Sequence, residues 1–145
     1  MSLFSTLSVS ASGMAAQRTR AELLTENLAN SETTRTPEGG PYRRKDALFS
    51  TAAENSPFSS VFQQQLETET GVQVTDIVQD TREPERRYMP GHPDADASGY
   101  VAFPNINPAE DMVDLLSASR GYEANVSAMT AIKDMISKSI GLLSA

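Results

Sequence analysis

The sequence of 145 residues contains no cysteine, no tryptophan and a single histidine, His92. Without cysteine the chain cannot form a disulfide, a thiolate metal site or a cysteine nucleophile. A lone histidine argues against most zinc enzymes and serine–histidine hydrolases, which need further ligands or catalytic partners. No run approaches the 18 apolar residues that are typical of a membrane-spanning helix, so no membrane insertion is expected.

Strongly apolar residues are also scarce, with eleven Leu, eight Val, five Ile and five Phe in the whole chain. Twelve basic residues face nineteen acidic ones, for a net charge of −7. Such a chain repels polyanions over its mean surface, so nucleic acid is not an expected partner. No glycine-rich phosphate loop follows a predicted strand. The sequence therefore predicts no cofactor and no small-molecule substrate.

Both ends of the chain show the apolar spacing of long helices. Alternating steps of four and three from Leu3 to Leu28 meet six apolar residues in eight positions, and the same steps from Met112 to Leu143 meet eight in ten. Asn107 and Pro108 form a helix-start signal, with Glu110 three residues after the cap. Helices over residues 3–30 and 108–143 are thus predicted, and lengths beyond about 25 residues suggest a coiled coil.

The middle of the chain is acidic and interrupted by turns, and residues 51–100 hold nine acidic side chains against three arginines. Alternating apolar residues predict strands at 72–78 and 100–103. Residues 61–66 fit either a short helix or a strand edge, and Leu48 and Phe49 are ambiguous. The prolines between 84 and 93 allow only a loop or an extended edge.

The predicted fold is mainly α with a small β-containing module. The N- and C-terminal long helices are expected to pair as a coiled coil around a loop-rich β module. This gives three parts: an N-terminal helix at 1–32, a β module at 33–104 and a C-terminal helix at 105–145.

The apolar stripes have two interpretations. They pack on each other as an ordinary core, or they also pack against neighbouring copies because one helix pair cannot hide both stripes. Gly13, which lies among small serine and alanine residues, favours the second interpretation, since small side chains let helix backbones approach closely.

Two other clusters have weaker claims to function. His92, Asp94 and Asp96 alternate along the chain and could face one metal ion, but no second histidine exists and the adjacent prolines explain a turn. We therefore predict no metal site. The basic clusters Arg43–Lys45 and Arg86–Arg87 form either a solvated face or contacts with the acidic middle of another copy.

Three segments together resemble a known family. Residues 26–30 read ENLAN near the end of the first helix, residues 88–96 read YMPGHPDAD, and residues 105–125 read NINPAEDMVDLLSASRGYEAN. The first and last are similar to the corresponding segments of bacterial flagellar basal-body rod and hook proteins, and the middle one is similar to the middle of one proximal rod subunit of that family. The short middle part is closest to that of the small proximal rod subunits.

This resemblance implies a structural protein without enzymatic activity that self-assembles through its terminal helices into the axial drive shaft of the flagellum and transmits torque. It implies export through the flagellar type III apparatus without a cleaved signal peptide, and assembly in the periplasm. The implied partners are other copies, other rod subunits, the basal-body membrane ring and the export apparatus.

Tyr122 and Asn125 are expected to make specific contacts between helices.

The alternative function is a cytoplasmic coiled-coil adaptor or flagellar export chaperone. The expected assembly interface combines the apolar stripes with the asparagine and tyrosine positions of the two motifs: Leu3, Leu7, Met14, Leu24, Asn27, Leu28, Asn30, Leu115, Tyr122, Asn125, Val126, Met129, Ile136, Ile140 and Leu143.

Overall fold

The computed structural model describes residues 3–51 and 71–143. Two long helices occupy the ends of this part, α1 at Leu3–Ala29 and α2 at Pro108–Leu143, with 27 and 36 residues. Both predicted helices are therefore confirmed, and at a rise of 1.5 Å per residue α2 is about 54 Å long. Neither helix, within the described residues, is both long enough and apolar enough to cross a membrane.

The start of α2 has the predicted cap. The Asn107 side-chain oxygen accepts a hydrogen bond from the backbone N–H of Ala109 at 3.2 Å, and its carbonyl accepts one from Asp111 at 3.1 Å. Pro108, the first helical residue, has no N–H to satisfy. The side chain of Asn107 and the ring of Pro108 thus fix where the helix begins.

Four strands lie between the helices: β1 at Lys45–Thr51, β2 at Val72–Gln79, β3 at Glu85–Tyr88 and β4 at Tyr100–Phe103. They form two sheets of two strands each, β1 with β2 and β3 with β4. The predicted strands at 72–78 and 100–103 are confirmed. The extended edge expected between 84 and 93 is β3, and the ambiguous Leu48 and Phe49 lie in β1.

The β3–β4 pair is antiparallel, and its register sorts the side chains onto two faces. Val101 and Phe103 point inward and are buried. Because successive side chains of a strand alternate between faces, Tyr88 and Tyr100 lie on the other face. Residues 61–66, for which either a helix or a strand was expected, lie outside the described part of the chain.

The described residues form two compact units, and each long helix contributes to both. The first unit comprises residues 3–19, 49–51, 71–75 and 118–143. Its most buried residues are small or aliphatic: Ser10, Ala16, Ala118 and Ile132.

The second unit comprises residues 20–48 and 76–117. Its core mixes apolar side chains with a fully buried amide and a fully buried carboxylate: Leu23, Leu24, Asn27, Tyr42, Val101, Phe103 and Asp111. The architecture of two long helices with a small β module between them agrees with the predicted fold class. The division at residues 32 and 104 stays a prediction.

Gly99 occupies a position in the loop before β4 that only glycine fits without strain. Its φ is +78°, and a Cβ atom there would lie 2.9 Å from the ring of Tyr88 and 3.2 Å from Pro90. We expect Gly99→Ala to lower the free energy of unfolding by about 1–3 kcal/mol. Thermal unfolding followed by circular dichroism measures the effect.

Gly91, in the same loop region, provides the matched control. It does not have a positive φ, and nothing lies within 4 Å of the space that its Cβ would occupy. Gly91→Ala is expected to unfold at the wild-type temperature. Equal midpoints for the two variants would show that Gly99 is not needed for its conformation.

Candidate assembly interface

In the first unit, α1 and α2 approach each other closely where one of them carries glycine. A Cβ at Gly13 would lie 3.1 Å from the amide atoms of Asn125, and a Cβ at Gly121 would lie 3.2 Å from Gln17. The Asn125 amide also donates to the Gly121 carbonyl at 2.9 Å. Because Gly13 has no side chain, Asn125 packs directly against the α1 backbone.

The inner stripe of α2 shares Leu115, Met129 and Ile136 with the predicted spacing, but its alternate positions lie one residue earlier. Asp111, Ala118 and Ile132 are buried and Asn125 is half-buried, and these four positions recur every seven residues. The predicted spacing instead passed through Ser119 and Lys133, which are exposed. These two polar residues interrupt the expected stripe. In the sequence itself they indicate that the buried positions lie one residue earlier.

The predicted interface residues differ in their burial within the single chain. Leu24 and Asn27 are buried. The half-buried members are Leu7, Met14, Leu28, Asn30, Leu115, Asn125, Met129 and Ile136. The exposed members are Leu3, Tyr122, Val126 and Ile140, and the side chain of Leu143 lies outside the described part.

Asn27 is the centre of a buried polar network in the second unit. Its side-chain oxygen accepts hydrogen bonds from the Lys45 backbone N–H at 2.9 Å and from the Tyr42 hydroxyl at 3.1 Å. Its amide group donates to the Lys45 carbonyl at 2.9 Å. The side chain thus pairs with both backbone groups of Lys45, as a neighbouring strand would. It attaches the end of α1 to the start of β1.

Two further contacts surround this network. Lys45 forms an ion pair with Glu26 and lies 5.7 Å from the centre of the Tyr42 ring. Burial, together with the nearby charge of Glu26, raises the pKa of Tyr42 from 10.0 to about 12. Tyr42 is therefore held as a neutral hydroxyl that can donate to Asn27.

Asn30, the second asparagine of the same motif, acts locally. Its amide group donates to the Glu26 carbonyl at 2.9 Å, and its oxygen accepts from the Thr33 hydroxyl at 3.2 Å. The Glu26 carbonyl also accepts the backbone N–H of Asn30 at 3.1 Å, so the Asn30 side chain adds a second bond to the last turn of α1 and connects it to the turn that follows. The two asparagines therefore differ in role, since only Asn27 joins distant segments.

Arg44 connects the turn before β1 to the first turns of α2. Its guanidinium lies 2.8 Å from the carboxylate of Asp111, which has no exposed surface, and 3.2 Å from that of Asp46. Burial raises the pKa of Asp111, and the charge of Arg44 opposes that shift. Neither oxygen of Asp111 has an aligned hydrogen bond within the described residues. The ion pair with Arg44 is thus the main compensation for burying this charge.

The first basic cluster is paired within its own chain. Arg43 donates to the carbonyl of Asp80 at 3.0 Å, while Arg44 and Lys45 contact Asp111 and Glu26. Neither interpretation offered by the sequence, a solvated face or a contact with another copy, describes the mostly buried Arg44. Sequence could not reveal these partners, because Arg44 and Asp111 lie 67 positions apart along the chain.

The alternating His92, Asp94 and Asp96 form turns. Asp94 accepts from the hydroxyl of Thr34 at 2.8 Å, and Asp96 accepts from the backbone N–H of Tyr100 at 2.9 Å. The backbone hydrogen bond from Tyr100 is the largest cause that lowers the pKa of Asp96. No group of three His, Cys, Asp or Glu side chains able to hold a metal ion occurs among residues 3–51 and 71–143.

The site is thus a pair of packed helices with buried polar attachments and exposed apolar residues, which is the arrangement of a structural assembly protein. Residues 97–142 match the family described as flagellar basal body rod FlgEFG protein C-terminal. The chain is 39% identical to flagellar basal-body rod protein FlgC of Borreliella burgdorferi over 99% of both chains. It is 43% identical to FlgC of Bacillus subtilis over 97% of both, and 34% identical to FlgC of Escherichia coli O6:H1 over 98% of both.

The chain therefore belongs to the FlgC family of flagellar basal-body rod proteins. It is a structural subunit of the rod in the basal body and functions in motility together with other rod subunits. The family resemblance inferred from the three sequence segments is confirmed. The alternative function of a cytoplasmic adaptor or export chaperone is set aside.

Proposed function

We propose that the chain is a proximal rod subunit whose terminal helices pair as a coiled coil and pack against the helices of neighbouring subunits. The observation that supports this proposal is the set of large apolar side chains that α2 leaves exposed in its own chain. Tyr122, Val126 and Ile140 are all exposed, and their spacing places them on one side of the helix. A row of uncovered apolar residues is typical of a surface that another protein covers.

In this proposal the inner layer of the rod consists of residues 1–32 and 105–145, and residues 33–104 form the outer module. The interface comprises the fifteen residues predicted from the sequence. Burial of apolar surface contributes about 25 cal/mol per Å², and its repetition over many copies gives a stiff shaft that transmits torque. The function is therefore mechanical and not enzymatic.

The proposal also covers the route to the rod. The chain is exported by the flagellar type III apparatus without a cleaved signal peptide and assembles in the periplasm, where it contacts the basal-body membrane ring. Absence of cysteine suits an oxidising compartment, where a free thiol would be a liability.

Ile136 provides the test of the helical seam. It is half-buried on α2, and Ile136→Asp introduces a charge that cannot be covered by apolar neighbours without a large desolvation cost. We expect the variant to abolish swimming in soft agar while the purified chain keeps the circular dichroism signal of its β module.

Ser137→Asp introduces the same charge at the adjacent, exposed position and is expected to leave swimming intact. If cells with Ile136→Asp swim like the wild type, the seam does not include this part of α2.

A further inference from the structure

The outer face of the β3–β4 sheet is basic and aromatic. Tyr88 and Tyr100 are opposite each other in the register, with ring centres 5.3 Å apart in an edge-on arrangement. Both rings are exposed, Tyr88 to 65%. Arg86 lies on the same face because it is two residues from Tyr88 along the strand. This Tyr–Arg face consists of residues of the types that dominate the binding energy of protein interfaces.

Arg87, the other member of the second basic cluster, is already engaged on the inner face. It forms an ion pair with Glu85 at 3.0 Å and lies 4.8 Å from the ring centre of Phe103. The two adjacent arginines thus have opposite orientations. Arg86 presents its charge beside the exposed tyrosines, within electrostatic reach of the Asp96 carboxylate.

The first turns of α2, in the same compact unit, carry a surface of complementary chemistry. Met112, Val113 and Leu116 are exposed, Val113 to 66%. Together with Ala109 they occupy positions i, i+3, i+4 and i+7, which form one stripe on a helix. This outer stripe faces away from the buried Asp111, since residues two apart on a helix lie on opposite sides.

The outer stripe is also acidic. Ala109, Glu110, Val113 and Asp114 line a shallow, open region of the surface. Asp114 is paired with Arg20 at 3.3 Å, whereas Glu110 is exposed. The stripe therefore offers apolar side chains for an aromatic ring and a carboxylate for a cation.

These two surfaces do not cover each other within one chain, because Tyr88 and Val113 both keep about two thirds of their area exposed. They match in charge, Arg86 against Glu110, and in apolar character. Two different patches that fit each other on separate copies form a head-to-tail contact, which repeats from copy to copy.

We infer that the Tyr–Arg face of one copy docks on the outer stripe of α2 in the next copy, with a tyrosine ring against the exposed apolar side chains and Arg86 paired with Glu110. The inference rests on the proposed rod function and adds to it a specific lateral contact between identical subunits. None of the fifteen residues predicted for the assembly interface belongs to either surface, although Met112 is the first position of the apolar spacing along α2.

Cysteine crosslinking tests the contact without background, because the chain contains no cysteine. One set of cells co-produces the single variants Tyr88→Cys and Val113→Cys, and isolated basal bodies are treated with a mild oxidant. We expect a covalent dimer of the two variants. The control pairs Val113→Cys with Thr25→Cys, an exposed position on α1. Because Thr25 belongs to neither surface, this pair should give at least about tenfold less dimer.

Charge reversal gives an independent readout. Arg86→Glu places a like charge opposite Glu110, so the amount of crosslinked dimer and the swimming rate should each fall about tenfold. Adding Glu110→Arg restores opposite charges and should restore both. If the cysteine variants do not assemble, recovery of swimming by the double variant with Arg86→Glu and Glu110→Arg is the result that supports the contact. No recovery overturns the inference.

The possible failures are distinguishable. If the variants are recovered with basal bodies but form no dimer, or crosslink to a different protein, the copy-to-copy contact is wrong and the rod function stands. If the wild-type chain itself is not recovered with basal bodies, the rod function fails as well.

Discussion

We expect Asn27→Ala to lower the free energy of unfolding by about 3–5 kcal/mol. The substitution removes three hydrogen bonds and leaves the Lys45 N–H, the Lys45 carbonyl and the Tyr42 hydroxyl without their buried partner. Each buried group without a partner costs about 1–3 kcal/mol. Urea unfolding of the full chain, followed by circular dichroism, measures the loss.

Asn30→Ala is the matched control, because it changes the same residue type three positions later. Asn30 is only half-buried, and the Glu26 carbonyl that its amide contacts keeps the backbone N–H of Asn30 as a partner. Its removal should cost at most about 1 kcal/mol. Equal losses for the two variants would mean that Asn27 does not hold α1 against the start of β1.

The second large effect is expected from Arg44→Ala. This change leaves the carboxylate of Asp111 without its main compensating charge in a site with no exposed surface. Breaking a buried ion pair by removing one partner costs about 3–5 kcal/mol. The control is Arg82→Ala, which removes an ion pair with Asp80 from a side chain that is 69% exposed, and the stability of this variant should stay close to that of the wild type.

The pH dependence of the Arg44→Ala variant gives an additional check. Burial holds the pKa of Asp111 above its ordinary value of 3.8, and loss of Arg44 raises that pKa further. A carboxyl group whose pKa is raised in the folded state keeps its proton there to a higher pH than in the unfolded state. The free energy of unfolding therefore falls as pH rises above 3.8. The variant should therefore differ little from wild type at pH 3.5 and show its full loss at pH 7.

Asp111→Asn should recover much of the stability that Arg44→Ala loses at pH 7, because no charge then remains to be compensated. If the double variant is as unstable as Arg44→Ala alone, the buried charge is not the cause of the loss.

The sequence predicted the helices well because their signals are local. Asn107 and Pro108 define the start of α2 by their own chemistry, and the apolar spacing needs no knowledge of distant residues. The exact inner face of α2 was harder to predict. Because the apolar spacing is interrupted at Ser119 and Lys133, it fits two sets of buried positions that differ by one residue. Burial in the structure resolved this ambiguity in favour of Ala118 and Ile132.

The polar attachments could not be predicted, because they join segments that are distant in sequence. Asn27 belongs to a motif that the family resemblance identified, but only the structure shows that its amide pairs with the backbone of Lys45. Arg44 was one charge in a basic run with two plausible interpretations, and its buried partner Asp111 lies 67 positions away in the first turn of α2.

The most direct test of the central claim is a cryo-EM map of the intact basal body with this chain traced in it. The account predicts α1 and α2 side by side in the inner layer of the rod, with Tyr122, Val126 and Ile140 covered by neighbouring subunits. A map in which these three side chains face solvent or the central channel, with the β module making the contacts between subunits, would contradict it.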